Sequence, residues 1–209
     1  MILLKWFNTT ENINQMINLE KKISEIEDPN FEYVDLGEKR SISDREFDTL
    51  YKFIVYYKAK KYLEIGTGTG KTICTLANIF KETKFYSVDV GYLEIWNPDK
   101  RLFPPNVTFI KANSSRCLYE CVPEVDIVFV DGSHAVPYVC IDSYNAFRKV
   151  REGGLVLWHD YKNDWSYNYG VKKALHDLKI KYKVIKKTHL AYSVKQNYFL
   201  EEEITPNHK

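Results

Sequence analysis

Glu64-Ile65-Gly66-Thr67-Gly68-Thr69-Gly70-Lys71-Thr72 follows a short β-branched and aromatic run at 62–65 and opens a helix-compatible stretch. Three of the chain's nine glycines fall within five residues here. Glycines let the chain turn sharply and let a ligand approach the backbone at the carboxyl end of a strand, where open α/β sheets bind ligands. A P-loop needs Gly-x-x-x-x-Gly-Lys-Thr, and Ile65 stands where its first glycine must be. The dinucleotide fingerprint Gly-x-Gly-x-x-Gly needs glycine at 71 or 73, which are Lys71 and Ile73. Both phosphate readings fail by position, leaving Glu-x-Gly-x-Gly-x-Gly.

Outward from this loop, strand-like runs recur at 85–88, 107–110, 125–130 and 155–158, most of them separated by helix-compatible stretches. Val-Asp-Ile-Val-Phe-Val at 125–130 is almost continuously apolar, as in a parallel sheet covered on both faces. The pattern predicts an α/β, doubly wound fold. Runs at 182–185 and 190–194 lie four residues apart, which predicts an antiparallel hairpin, since a parallel crossover needs a dozen residues or more. Towards the N-terminus, Ile13, Met16, Ile17, Leu19, Ile23 and Ile26 recur at helical spacing over 8–27, and Asp28-Pro29-Asn30 ends that helix. The segment 31–39 reads as a loop or a short extended stretch. Ser43 followed by Glu46 is a capping box, opening a second helix marked by Phe47, Leu50, Ile54 and Tyr57; another helix is expected at 170–178. The expected organisation is a helical extension at 1–40 and one main domain at 41–209.

Composition narrows the class. The chain has 209 residues, 30 Lys+Arg against 28 Asp+Glu, and a net charge of +2, which argues against a nucleic-acid-coating surface. Lys179, Lys181, Lys183, Lys186 and Lys187 form a local basic run that reads as a solvated face. With 16 Tyr, 11 Phe and 4 Trp the chain is not a disordered one. No apolar run reaches the roughly 18 residues of a membrane span, and the opening seven residues do not make a signal peptide, so a cytoplasmic protein is expected. Cys74, Cys117, Cys121 and Cys140 form no C-x-x-C pair and read as buried, reduced thiols.

The Glu64–Gly70 motif resembles the first motif of class I S-adenosylmethionine-dependent methyltransferases, and the resemblance extends over 62–194. It implies a Rossmann-like methyltransferase fold with a mostly parallel seven-stranded sheet and a C-terminal antiparallel hairpin. It also implies that Gly66, Thr67, Gly68 and Gly70 pack against the methionine and ribose parts of S-adenosylmethionine, with Glu64 nearby. Asp89 matches the acidic residue that takes both ribose hydroxyls, a task suited to a carboxylate's lone pairs. Asn113 and Ser114 stand where relatives read the adenine; Asn113 replaces their usual Asp, and its amide oxygen could still accept from the adenine amino group.

The fourth run ends in Asp131-Gly132-Ser133-His134 and the fifth in His159-Asp160-Tyr161. This pairing looks like the small-molecule O-methyltransferases that include the macrocin-type sugar enzymes, relatives of the cephalosporin hydroxylase family. The resemblance implies that Asp131, His159 and Asp160 hold a divalent metal, that Asp131 also borders the cofactor, and that His134 is the general base. A metal fits the chemistry, because a hydroxyl is a poor nucleophile at neutral pH and a cation can lower its pKa. Carboxylates suit magnesium, whereas an imidazole ligand makes manganese or another transition metal easier to accommodate. Aromatic segments at 91–106 and 162–169 are expected to choose the acceptor, as a lid or as loop packing. The expected partners are a small-molecule acceptor and, in a homo-oligomer, further copies of the chain. RNA ribose 2′-O-methylation ranks second because it leaves His134 and His159 without roles, and non-catalytic S-adenosylmethionine binding ranks third.

Overall fold

In the computed structural model, which describes residues 4–5, 10–29, 42–91, 104–116, 119–161, 170–196 and 199–200, the fold is read as follows. Helices α1 (Thr10–Ser24) and α2 (Asp44–Tyr57) precede strand β2 (Lys61–Ile65), while the short strand β1 (Leu4–Lys5) pairs antiparallel with β9 (Phe199–Leu200). Then come α3 (Lys71–Ile79), β3 (Lys84–Asp89), β4 (Val107–Lys111), β5 (Val125–Val130), α4 (Val136–Lys149), β6 (Val150–Trp158), α5 (Gly170–Asp177), β7 (Lys183–Val184) and β8 (Ala191–Val194).

The main sheet has seven strands in the order β4-β3-β2-β5-β6-β8-β7. β4 to β6 are parallel, and β8 runs antiparallel to both β6 and β7, as the spacing of the last two runs requires. The fold class is therefore the expected one.

Side chains alternate through the sheet with the strand period of two. Tyr62, Ile127, Phe129, Leu155 and Leu157 face one side, where Phe47, Leu50 and Phe53 of α2, Ile73 and Leu76 of α3, and Leu19 and Ile23 of α1 cover them. Leu63, Val128, Val130, Val156 and Trp158 face the other side, under Val139 and Phe147 of α4 and Val171 and Leu175 of α5. Burying each such Leu, Val or Phe contributes roughly 1.5–3 kcal/mol, so both layers are needed to hold the sheet. Two of the polar tips in these layers are bonded: Trp158 donates to the Ser143 hydroxyl (2.9 Å), and the Tyr192 hydroxyl donates to the Met16 carbonyl (2.8 Å).

Two expectations shift. β6 begins at Val150, earlier than its apolar run, because Arg151–Gly154 extend the strand past a register irregularity opposite Val125–Ile127. The described cysteines are free as expected, but only Cys74 is buried; Cys121 sits exposed on a turn and Cys140 lies half-buried on α4. The segment at 31–39, most of the aromatic segment at 91–106, all of 162–169, and Cys117 lie outside the described residues.

Candidate active site at the carboxyl edge of the sheet

From β2 the chain winds outward to β3 and β4, then returns to place β5 on the other side of β2. That reversal opens a crevice at the carboxyl ends of the strands. A cavity of about 870 Å³ lies there, bordered by the glycine loop, Asp89, Asn113, Asp131, His134 and Asp160. The sequence-predicted site residues thus converge on one place, delivered by the ends of five strands, β2 to β6.

The loop's shape follows from its glycines. Gly66 (φ +94°), Gly68 (φ +53°) and Gly70 (φ +79°) all sit in the left-handed region. A side chain on Gly66 would come within 2.3 Å of the Asp131 carbonyl, so only glycine lets the loop seat against the end of β5. At Gly68 the same atom would meet nothing within 4 Å, so the backbone there is bare towards open space. Asp89 holds the loop from the next strand: its Oδ2 accepts the N–H groups of Thr67 (2.8 Å) and Gly68 (3.2 Å), and its Oδ1 accepts that of Gly91 (3.2 Å). Thr67 is also tied to Ser87 by a short hydroxyl–hydroxyl bond.

Glu64 is buried at 2% exposure, and among the described residues its Oε2 has no hydrogen-bond partner. Burial, with Asp131 and Asp89 nearby, pushes its carboxyl well above the ordinary range. An orphaned acid beside two carboxylates is suited to a cationic ligand. Asn113 has its amide oxygen engaged locally: its Oδ1 accepts the Ser115 N–H (3.0 Å) and hydroxyl (2.7 Å), which leaves the amide NH₂ as the end a ligand could use.

On the β5 and β6 side, Asp131, His134 and Asp160 each bring one ligand atom into a group whose members lie within 4.8 Å of one another. The His134 Nε2 lies 3.0 Å from Asp160 Oδ2, and its side chain is half exposed. Asp160 adopts φ +55°, a left-handed conformation that Asp tolerates better than most residues.

His159 sits differently from its expected place among the metal donors. Its Nδ1 lies 3.1 Å from Asp131 Oδ1 and 3.5 Å from Asp160 Oδ2, and its Nε2 lies 3.3 Å from Glu46 Oε2. Burial opposes charge on this ring, but the Asp131, Asp160 and Glu46 carboxylates outweigh it and push its pKa up to about 12. The group of three that draws its ligand atoms together among the described residues is Asp131, His134 and Asp160, and His159 stands beside it.

Two participants escaped sequence reasoning. Glu46 reads locally as a cap and does form the capping box with Ser43, but its far partner is 113 residues away. His189, in the turn before β8, donates its backbone N–H to Glu46 Oε1 (2.7 Å) and brings its ring to 3.9 Å from Asp160. Only a hairpin prediction that also fixed which strand it joins would have found it.

Residues 63–161 match a protein family described as a methyltransferase domain. The fold around that stretch is the Rossmann-like methyltransferase fold. The methyltransferase PaMTH1 of Podospora anserina, solved with S-adenosylhomocysteine, shares its fold with a TM-score of 0.60 and 13% identity, over 92% of this chain and 98% of that one. A Klebsiella pneumoniae protein assigned as an O-methyltransferase gives 0.58 and 16%, over 90% and 92%. MycE of the mycinamycin biosynthetic pathway, solved with Mg, S-adenosylhomocysteine and mycinamycin VI, gives 0.56 and 19%, over 79% of this chain and 52% of MycE. The chain therefore spans about half the length of MycE. No curated protein sequence matches it.

Proposed function

We propose that this protein is a metal-assisted, S-adenosylmethionine-dependent O-methyltransferase acting on a small hydroxylated acceptor, a sugar or glycosylated metabolite. The observation that carries the reading is the convergence of Asp131, His134 and Asp160 within 4.8 Å beside the glycine loop. The Mg, S-adenosylhomocysteine and mycinamycin VI bound in the MycE structure support both the metal and a small-molecule acceptor. When bound, S-adenosylmethionine supplies an electrophilic methyl group and a divalent cation lowers the pKa of the acceptor hydroxyl.

The chain's own residues divide the remaining work. The bare backbone at Gly68 admits the donor, and the unpartnered Glu64 oxygen suits its positive charge. Asp89, already orienting the loop through three N–H groups, keeps lone pairs for the ribose hydroxyls. The NH₂ of Asn113 and the Ser114 hydroxyl border the adenine end. Asp131 and Asp160 are hard oxygen donors suited to magnesium or manganese. His134, oriented by Asp160 and half exposed to the cavity, takes the acceptor proton. A competing role, third ligand to the cation, is favoured by its place in the same donor group.

The test is incubation with methyl-labelled S-adenosylmethionine and pools of glycans, phenols and RNA, with and without EDTA. Label should enter the glycan or phenol pool, disappear with EDTA and return with Mg²⁺ or Mn²⁺. His134→Ala should lower turnover roughly 10²–10⁴-fold, the loss shrinking as pH rises, while Mn²⁺ affinity is kept; a large loss of Mn²⁺ affinity assigns His134 as a ligand. Label in RNA would replace this reading with ribose methylation, and donor binding without transfer would leave a non-catalytic binding protein.

A further inference from the structure

Glu46 is 5% exposed although it lies in the first turn of α2, where a capping glutamate ordinarily faces water. The cap accounts for only part of its bonding. Oε2 accepts the Ser43 N–H (2.9 Å) and hydroxyl (2.7 Å) and faces His159 Nε2 at 3.3 Å, while Oε1 accepts the His189 N–H at 2.7 Å. Both oxygens are thus engaged, Oε2 by three of the contacts and Oε1 by one, and two of the partners lie far along the chain from the cap.

Across the ring, His159 Nδ1 meets Asp131 Oδ1 at 3.1 Å, and its edge packs on Phe129 with centroids 6.2 Å apart. An imidazole flanked by carboxylate oxygens at both nitrogens bonds to both only when it carries two protons. The ring is then anchored at both ends. Without an acceptor for Nε2–H, the ring keeps its contacts with Asp131, Asp160 and Phe129 but loses the anchor at its far end, so the donor to Asp131 is held less firmly.

We propose that Glu46 is a positioning residue of the active site: through the His159 ring it fixes the Asp131 carboxylate where a cation is bound, so that α2, outside the matched residues 63–161, belongs to the catalytic apparatus. The proposal rests on the reading that Asp131 and Asp160 hold a divalent ion.

The test measures Mn²⁺ dissociation constants, by electron paramagnetic resonance of free Mn²⁺, for the wild type, Glu46→Gln, His159→Gln, the double variant and Ser43→Ala. If the wild type itself binds no Mn²⁺, the metal reading fails, and this proposal with it. If it binds, each single variant at Glu46 or His159 should weaken affinity roughly 10–100-fold, as loss of a group that orients a ligand does. The double variant should be no weaker than the worse single one, because the two side chains act in series. Ser43→Ala, which removes the hydroxyl contact of the cap but leaves the ring contact, should stay within twofold.

NMR of the His159 ring should show two protected N–H signals in the wild type, retained when Mg²⁺ is added, with one lost in Glu46→Gln. Unchanged or tighter Mn²⁺ affinity in Glu46→Gln, or independent multiplying losses in the double variant, would overturn the proposal. Should Glu46→Gln fail to fold, His159→Gln binding Mn²⁺ as the wild type does would overturn it equally.

Discussion

Gly66 and Gly68 stand two positions apart and should answer differently to the same substitution. Gly66→Ala drives a methyl group into the Asp131 backbone and should cost about 2–4 kcal/mol of stability. Gly68→Ala meets no atom within 4 Å, so it should cost only about 1 kcal/mol for its left-handed backbone while weakening S-adenosylhomocysteine binding tenfold or more. Thermal melting and titration calorimetry on the two variants separate the outcomes; equal donor affinity in Gly68→Ala would take the donor off the loop. Asp142 on α4 makes a second prediction. It is fully buried beneath Gly132, among the described residues neither carboxyl oxygen has a hydrogen-bond partner, and burial, only partly offset by nearby Ser114, pushes its pKa up to about 6. Because the folded value lies above the unfolded one near 3.9, the folded state holds this proton longer, and the stability present below pH 4 is lost as pH rises through 6. Asp142→Asn should therefore raise stability above pH 6 by about 2 kcal/mol, with little change below pH 4, as melts across that range would show. Glycine positions were legible in the sequence because failed fingerprints are counted residue by residue. Asp142 was not, since a polar residue on an amphipathic helix reads as exposed until the neighbouring Gly132 is seen to leave room for it.

Among the elements, Asp126 at the start of β5 ties together the turn after α2, strand β5 and strand β6. Its Oδ2 accepts the N–H groups of Lys60 (2.8 Å) and Lys61 (2.9 Å), and its Oδ1 accepts Arg151 Nε at 2.7 Å. Burial raises the Asp126 carboxyl's pKa, but the Arg151 guanidinium and the two backbone donors outweigh it and hold it below the usual range. A lowered folded pKa gives stability that is present above the unfolded value and lost as pH falls. Asp126→Asn should cost about 1–2 kcal/mol at pH 7, discounted for screening at partly exposed Arg151, and the gap to the wild type should close below about pH 4. Urea melts at pH 7 and pH 3.5 check this, and a gap of the same size at both would assign the effect to packing. The parallel strands were legible because buried strands read as apolar runs, and the hairpin because four residues allow no other connection. Where an element's role depends on a distant partner, local pattern gave only half of it: α2 was recognised with its cap, while the contact of that cap with His159 depends on how α2 packs against the end of β6.

At the scale of the whole molecule, one sheet edge gathers the ends of five strands, and the rest of the fold keeps them in register. Helix α1 shares the core beneath α2 and α3, fastened through the Tyr192 hydroxyl to Met16, so the N-terminal segment is packed on the domain along that helix. Among the described residues no helix is long and apolar enough to cross a membrane. The sequence placed Asp131, His134, His159 and Asp160 at this edge; it could not say which histidine joins the acids, because that depends on the Glu46 carboxylate arriving from outside the sheet. The central claim is that Asp131 and Asp160 bind a cation beside the glycine loop. It is tested most directly by crystals grown with Mn²⁺ and S-adenosylhomocysteine, with anomalous scattering recorded at the manganese edge. The account predicts one strong peak within ligand distance of both Asp131 and Asp160, with S-adenosylhomocysteine against Gly68. No peak between those two carboxylates, in crystals that do hold the cofactor product, would contradict it.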